Sequence, residues 1–214
     1  GSNTGVTYQL YMGTTAISSP VSGTGTAISF GLQTIAGTYT VIAVNSVTGC
    51  GNNMTGSATV MVNSAPAVFS LTGGGSYCVG SGGLHIGLSG SATGVTYQLR
   101  IGGINVGSPL SGTGSALDFG IFTTAGTYTV IATGSTSCTS NMSGTAVITV
   151  NSLPTAYTVT GGGSYCNGGT GVTVGLAGSS TGVNYQLYNG ATAIGSPVAG
   201  SGSAISFGSQ TSAG

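Results

Sequence analysis

Of 214 residues, 43 are Gly, 30 Ser and 33 Thr, so three small residue types make up half of the chain. Against them stand one Arg (Arg100), one Asp (Asp118) and one His (His85), with no Lys and no Glu, where roughly a quarter of an ordinary chain is charged. General acid–base catalysis, carboxylate metal cages and phosphate clamps all draw on those side chains, so no enzyme, cofactor or metal site is expected. Nucleic acid is excluded as a partner, because binding it takes several cations to neutralise phosphates. What remains is a structural, adhesive or weakly sugar-binding protein.

Gly and Ser at this level usually accompany disorder, but 39% of the chain is hydrophobic. The apolar residues are largely β-branched or aromatic and fall in short alternating runs, the pattern of folded β structure. No run approaches the roughly 18 apolar residues that span a bilayer, so membrane insertion is not expected. The first residues carry no signal-peptide pattern.

Self-similarity dominates the sequence. GVTYQL at 5–10 recurs at 94–99 and, as GVNYQL, at 182–187; AGTYTVIA at 36–43 recurs at 125–132, and TGGGSYC at 72–78 recurs at 160–166. The period of about 88 residues is far above the roughly 20 to 50 of solenoid units and close to the roughly 100 of an independent immunoglobulin-like sandwich. VNSAP at 62–66 and VNSLP at 150–154 mark the boundaries, since a Pro after a strand-like run stops ladder pairing. Residues 63–151 are thus expected to form one complete repeat. Residues 1–62 hold the later strands of one, and 152–214 the earlier strands of another. The open ends are read as an excerpt of a longer tandem array, or else as halves that complete each other by strand exchange between chains.

In the complete repeat, alternation predicts seven strands: Ala67 to Leu71, Leu84 to Leu88, Val95 to Leu99, Ile104 to Val106, Ala116 to Phe119, Thr127 to Ile131 and Ala146 to Val150. Val95, Tyr97 and Leu99 share one face, with Thr96 and Gln98 on the other. No segment has a helical period, and Gly with β-branched residues disfavours helix. The Gly runs at 73–75 and 161–163 read as flexible connections, because no phosphate-loop pattern accompanies them.

AGTYTVIA resembles the F strand of immunoglobulin-like and PKD-like domains, with Tyr39 and Tyr128 where such domains place a corner tyrosine. A Cys ahead of the second strand (Cys78, Cys166) and one after the F strand (Cys50, Cys138) are similar to the Ig-like repeats of very large secreted surface proteins of Bacteroidetes. Strand C carries Tyr97 where true immunoglobulin domains have Trp. The resemblance implies an all-β chain of tandem Ig-like sandwiches, exported past the outer membrane by the type IX route and serving as adhesin, stalk or filament at the cell surface or in a biofilm.

Two Cys per repeat suggest an oxidising compartment, and the absence of CxxC spacing argues against zinc. The first reading joins Cys78 to Cys138 within the complete repeat, with Cys50 and Cys166 pairing outside these residues. Such a bridge closes a loop of about 60 residues and contributes roughly 4 kcal/mol in the chain-entropy model. Joining Cys50 to Cys78 and Cys138 to Cys166 would cross about 40 Å of extended chain, against a Cα limit near 7 Å. A third arrangement stays open because the two loops lie at opposite ends of a strict immunoglobulin sandwich. In it, the lower Cys of one repeat meets the upper Cys of the next.

His85, Asp118 and a Ser could formally make a triad, but His85 aligns with Thr173, Asp118 with Ser29 and Ser206, and Arg100 with Tyr11 and Tyr188. All three charges sit where sister repeats are polar or aromatic, which reads as tolerance of any hydrophilic group. Tyr11 and Tyr188 alternate out of phase with the core of their strand. They are the candidate sugar contacts of a carbohydrate-binding alternative, with surface glycans as partners. Thr-x-Thr pairs at 38/40, 127/129 and 158/160 suggest ice binding, although β-propensity already accounts for Thr in strands. The leading expectation is a non-catalytic extracellular repeat whose partners are copies of itself. With so little charge on the surface, lateral association should be indifferent to salt.

Overall fold

The computed structural model describes residues 1–212, and among them every regular element is a β-strand. The first stretch holds β1 (Val6–Met12), β2 (Thr15–Ala16), β3 (Val21–Ser22), β4 (Gly37–Asn45), β5 (Gly51–Asn53) and β6 (Ala58–Val60). The middle stretch holds β7 (Leu71–Gly73), β8 (Gly75–Cys78), β9 (Leu84–Leu88), β10 (Val95–Ile101), β11 (Ile104–Asn105), β12 (Leu110–Ser111), β13 (Leu117–Phe122), β14 (Gly126–Gly134), β15 (Thr139–Asn141) and β16 (Ala146–Asn151). The last holds β17 (Val159–Gly161), β18 (Val172–Leu176), β19 (Asn184–Asn189), β20 (Thr192–Ala199) and β21 (Ile205–Gln210). The sheets are open and none closes into a barrel.

The chain divides into two compact units that cut across the period: 1–71 with 88–117 and 129–144, and 72–87 with 118–128 and 145–214. In the first unit, β1 pairs antiparallel with β4 from Val6↔Asn45 to Met12↔Tyr39. β2 and β3 border β1, and β5 and β6 border β4. β11 and β12 pair with β10. Side chains one residue apart point to opposite faces, and burial follows: Tyr8 and Leu10 on β1, Tyr97 and Leu99 on β10, and Val130 and Ala132 on β14 are buried.

In the second unit β8 runs parallel to β16, from Gly75↔Ile148 to Cys78↔Asn151. The start of β14 lies on the other edge of β16, pairing Tyr128 with Ala146. β9 is flanked by β13 and β7, β18 by β17 and β21, and β19 pairs with β20.

Of the expected strands, Leu84 to Leu88 coincides with β9, while the first one moves from Ala67–Leu71 to Leu71–Gly73. Residues 69 and 70 bond two different partners, Ser143 N–H donating to the Phe69 carbonyl and Ser89 N–H to the Ser70 carbonyl, both at 2.9 Å. That leaves a single bridge between Ser70 and Ser143 in place of a ladder.

The Gly runs are not flexible spacers. Gly73, Gly74 and Gly75 have φ of 89°, 78° and 127°, and Gly161, Gly162 and Gly163 repeat these at 87°, 81° and 133°. Gly74 N–H still bonds the His85 carbonyl of β9 at 3.0 Å, while Gly75 already pairs with Ile148 of β16. The run is therefore where the chain leaves one sheet for another. A Cβ on Gly74 would stand 2.7 Å from the Val147 carbonyl oxygen, and only glycine combines that approach with positive φ at little cost.

Candidate functional site

The most regular arrangement in the chain is a neutral polar lock that each repeat rebuilds. Tyr8, Tyr97 and Tyr185 point inward from the strand that follows a turn. Their hydroxyl oxygens accept the backbone N–H of Asn3, Ala92 and Ser180, five residues upstream, each at 2.8 Å. Beside them Ser2, Ser91 and Ser179 are buried. Their hydroxyls donate to the carbonyls of Thr26, Ser115 and Ser203 at 2.6, 2.6 and 2.5 Å, and each accepts the N–H of Thr24, Thr113 or Ser201. The amides of Gln98 and Gln186 donate to the carbonyls of Val106 and Ile194 at 3.0 and 2.9 Å. Alternation exposes the inward Tyr. Its partner, and the role of the buried Ser, depend on a turn that periodicity does not describe.

Tyr39 and Tyr128, near the start of β4 and β14, bond back along the chain. Tyr39 donates to the Ile35 carbonyl at 2.8 Å and Tyr128 to the Thr124 carbonyl at 2.9 Å, four residues upstream in both cases. Burial raises the pKa of the Tyr128 phenol, partly offset by that hydrogen bond. Among the described residues no buried side-chain N or O atom lacks a hydrogen-bond partner, as a well-satisfied interior requires.

The structure brings together two of the three charged residues. His85 on β9 and Asp118 on β13 meet with Nδ1 and Oδ2 2.8 Å apart, their side chains 63% and 58% exposed. The other carboxylate oxygen accepts the Gly120 N–H at 2.8 Å. That bond is the main reason the Asp118 pKa is lowered, with His85 adding to it and slight burial opposing. The sister repeats explain the carboxylate: Ser29 and Ser206 hydroxyls accept the N–H of Gly31 and Gly208 at 3.1 and 3.0 Å. Asp118 therefore takes over a turn-holding bond that serine makes elsewhere, and an exposed ion pair adds little to stability. Arg100 donates to the Asn105 side-chain oxygen at 2.9 Å across the β10–β11 turn.

Of the candidate sugar contacts, Tyr188 is 58% exposed and Tyr11 is half-buried on β1. Tyr188 lines an open cleft of about 640 Å³ together with Tyr165, Val174, Ile194 and Gln210. The Tyr165 hydroxyl is held by the Thr211 carbonyl. No group of three or more His, Cys, Asp or Glu that could hold a metal ion occurs among the described residues. Among the described residues there is no helix long and apolar enough to cross a membrane.

The expected bridge between Cys78 and Cys138 gains no support, since no disulfide joins Cys50, Cys78, Cys138 or Cys166 in this structure. The strand pairing accounts for this. Cys78 ends β8 opposite Asn151, whereas the Cys138 thiol sits 3.8 Å from the Asn63 carbonyl.

Comparison with known proteins finds no family model and no curated protein that matches this chain. A solved structure, described as a Ca2+-stabilised adhesin that helps an Antarctic bacterium reach out and bind ice, aligns with 86% of the chain at 19% identity and a TM-score of 0.38. The chain spans about half (51%) of the length of that structure.

Proposed function

We propose that this chain is a non-catalytic structural repeat of an extracellular bacterial surface filament, stalk or adhesin, built of Ig-like β-sandwiches in tandem. The observation that carries the reading is the repetition of one neutral lock, Tyr hydroxyl to backbone and buried Ser to backbone, at 8, 97 and 185 and at 2, 91 and 179. The recurring polar groups are spent on holding the fold, and the one charged cluster is an exposed pair that includes a turn-holding carboxylate. The strand orders β11-β10-β14-β16-β8 and β13-β9-β7, together with the tyrosine bond back across the corner, support the Ig-like assignment. A surface with almost no charge lacks the repulsion that keeps sheet edges apart, so the partners proposed are further copies of the chain. Electron microscopy of the concentrated protein tests this. Filaments or bundles that persist in 1 M salt are expected; dispersed particles, or bundles that dissolve steeply with salt, count against it.

A second reading rests on Tyr188 and Tyr165 lining one cleft, since tyrosine faces stack on sugar rings. Binding on a glycan array that Tyr188→Ala abolishes would favour a carbohydrate-binding module instead.

A further inference from the structure

The tandem array proposed above has a point where one repeat hands over to the next, and both cysteine types sit at it. Asn63 and Asn151 occupy the same position of the period, in VNSAP and VNSLP. At Asn151 the neighbour is the early cysteine: Cys78 is its parallel strand partner, and the Asn151 carbonyl accepts the adjacent Val79 N–H at 2.9 Å. At Asn63 the neighbour is the late cysteine, Cys138, whose Sγ stands 3.8 Å from the Asn63 carbonyl oxygen.

Placed on one boundary, the two observations converge on a single carbonyl. The repeat that ends there brings its early cysteine within one residue of it, and the repeat that begins there brings the late thiol against it. We infer that successive repeats are stapled head to tail by a disulfide between the early cysteine of one repeat and the late cysteine of the next. Cys166 is of the early type and Cys50 of the late type: the turn that places Cys138 by a Gly134 N–H bond to its carbonyl recurs as an Asn45 N–H bond to the carbonyl of Cys50, both 2.9 Å. No two of the four cysteines stand in the early-then-next-late relation. The staple rests on the array reading, and it turns a string of domains held by single covalent linkers into one doubly connected along its length.

Formation is an ordinary thiol oxidation. Two thiols lose two protons and two electrons as the S–S bond forms, and a disulfide oxidant such as oxidised glutathione is reduced to two glutathione thiols. Cys78 is exposed and Cys138 half-buried, so both sulfurs are within reach of such an oxidant.

The test extends the full chain after residue 214 with a copy of residues 127–151, the stretch that continues the period and supplies a late cysteine to the last repeat. The extended chain is folded in oxidised glutathione, digested without reduction and mapped by mass spectrometry, with hydrogen exchange of the added strands measured in parallel. The expected result is a cross-link between Cys78 and the added copy of Cys138, lost in Cys78→Ser, with Cys50, Cys138 and Cys166 unbridged. A Cys78 to Cys138 cross-link overturns the inference. Protected added strands with Cys78 still free overturn the staple and leave the array standing, whereas added strands without protection overturn both.

Discussion

Tyr97 is fully buried, and its oxygen is the partner of the Ala92 N–H. Phenylalanine at 97 would keep the ring and its edge-on contact with Phe69, whose centroid lies 6.5 Å away, but would leave that backbone donor unpaired. An unsatisfied buried donor costs about 1 to 3 kcal/mol, so Tyr97→Phe should lower the urea midpoint by that equivalent without changing the m-value. A loss under about 0.5 kcal/mol would mean that water replaces the hydroxyl. Residue by residue, alternation made the inward Tyr97 and Leu99 legible. Repeat alignment set Asp118 opposite Ser29 and Ser206 but read the position as tolerant of any hydrophilic group, and the shared bond to a backbone N–H two residues on emerged only from the structure. The cysteine pairing stayed open between arrangements, because a position along the chain does not say which carbonyl a thiol will face until strand register is known.

At the scale of elements, β9, β10, β14 and β16 follow from alternating β-branched and aromatic residues. β8 does not, because it begins inside a glycine run and gains its place only by pairing with β16, some seventy residues later and parallel to it. Local pattern carries no signal for such a long-range pairing. The same geometry makes the glycines unequal. Gly74→Ala would force a Cβ against the Val147 backbone at φ 78°, combining left-handed strain with overpacking. It should cost about 2 kcal/mol or more. Gly80→Ala, at φ 90° with open space around it, should cost only the strain, about 1 to 2 kcal/mol. Equal losses in thermal unfolding would show that the sheet switch tolerates movement.

For the whole molecule, one Arg, one Asp and one His leave little to titrate, so stability should stay nearly level from about pH 5 to 9. Below that range, Asp118 has a folded pKa under its unfolded value. Its contribution is present above the unfolded pKa and is lost as pH falls through the folded one, an effect kept small by exposure. On the alkaline side, the raised pKa of Tyr128 acts the other way. Its stabilisation is complete below the unfolded value near 10 and is lost as pH rises through the folded value. Tyr128→Phe should therefore flatten the alkaline limb of a pH–melting-temperature curve. An unchanged limb would assign it to other groups.

Read alone, the sequence determined the all-β class, the period of about 88 residues, the inward face of each alternating strand and the absence of the side chains that most chemistry requires, because these depend on composition and on contacts between near neighbours. Tertiary structure decided that the glycine run switches sheets, that buried serines and tyrosines close each turn, and that early and late cysteines face boundary asparagines. Each of those depends on which distant strands share a ladder and in what register, and a one-residue slip in register would turn every one of those side chains to the opposite face.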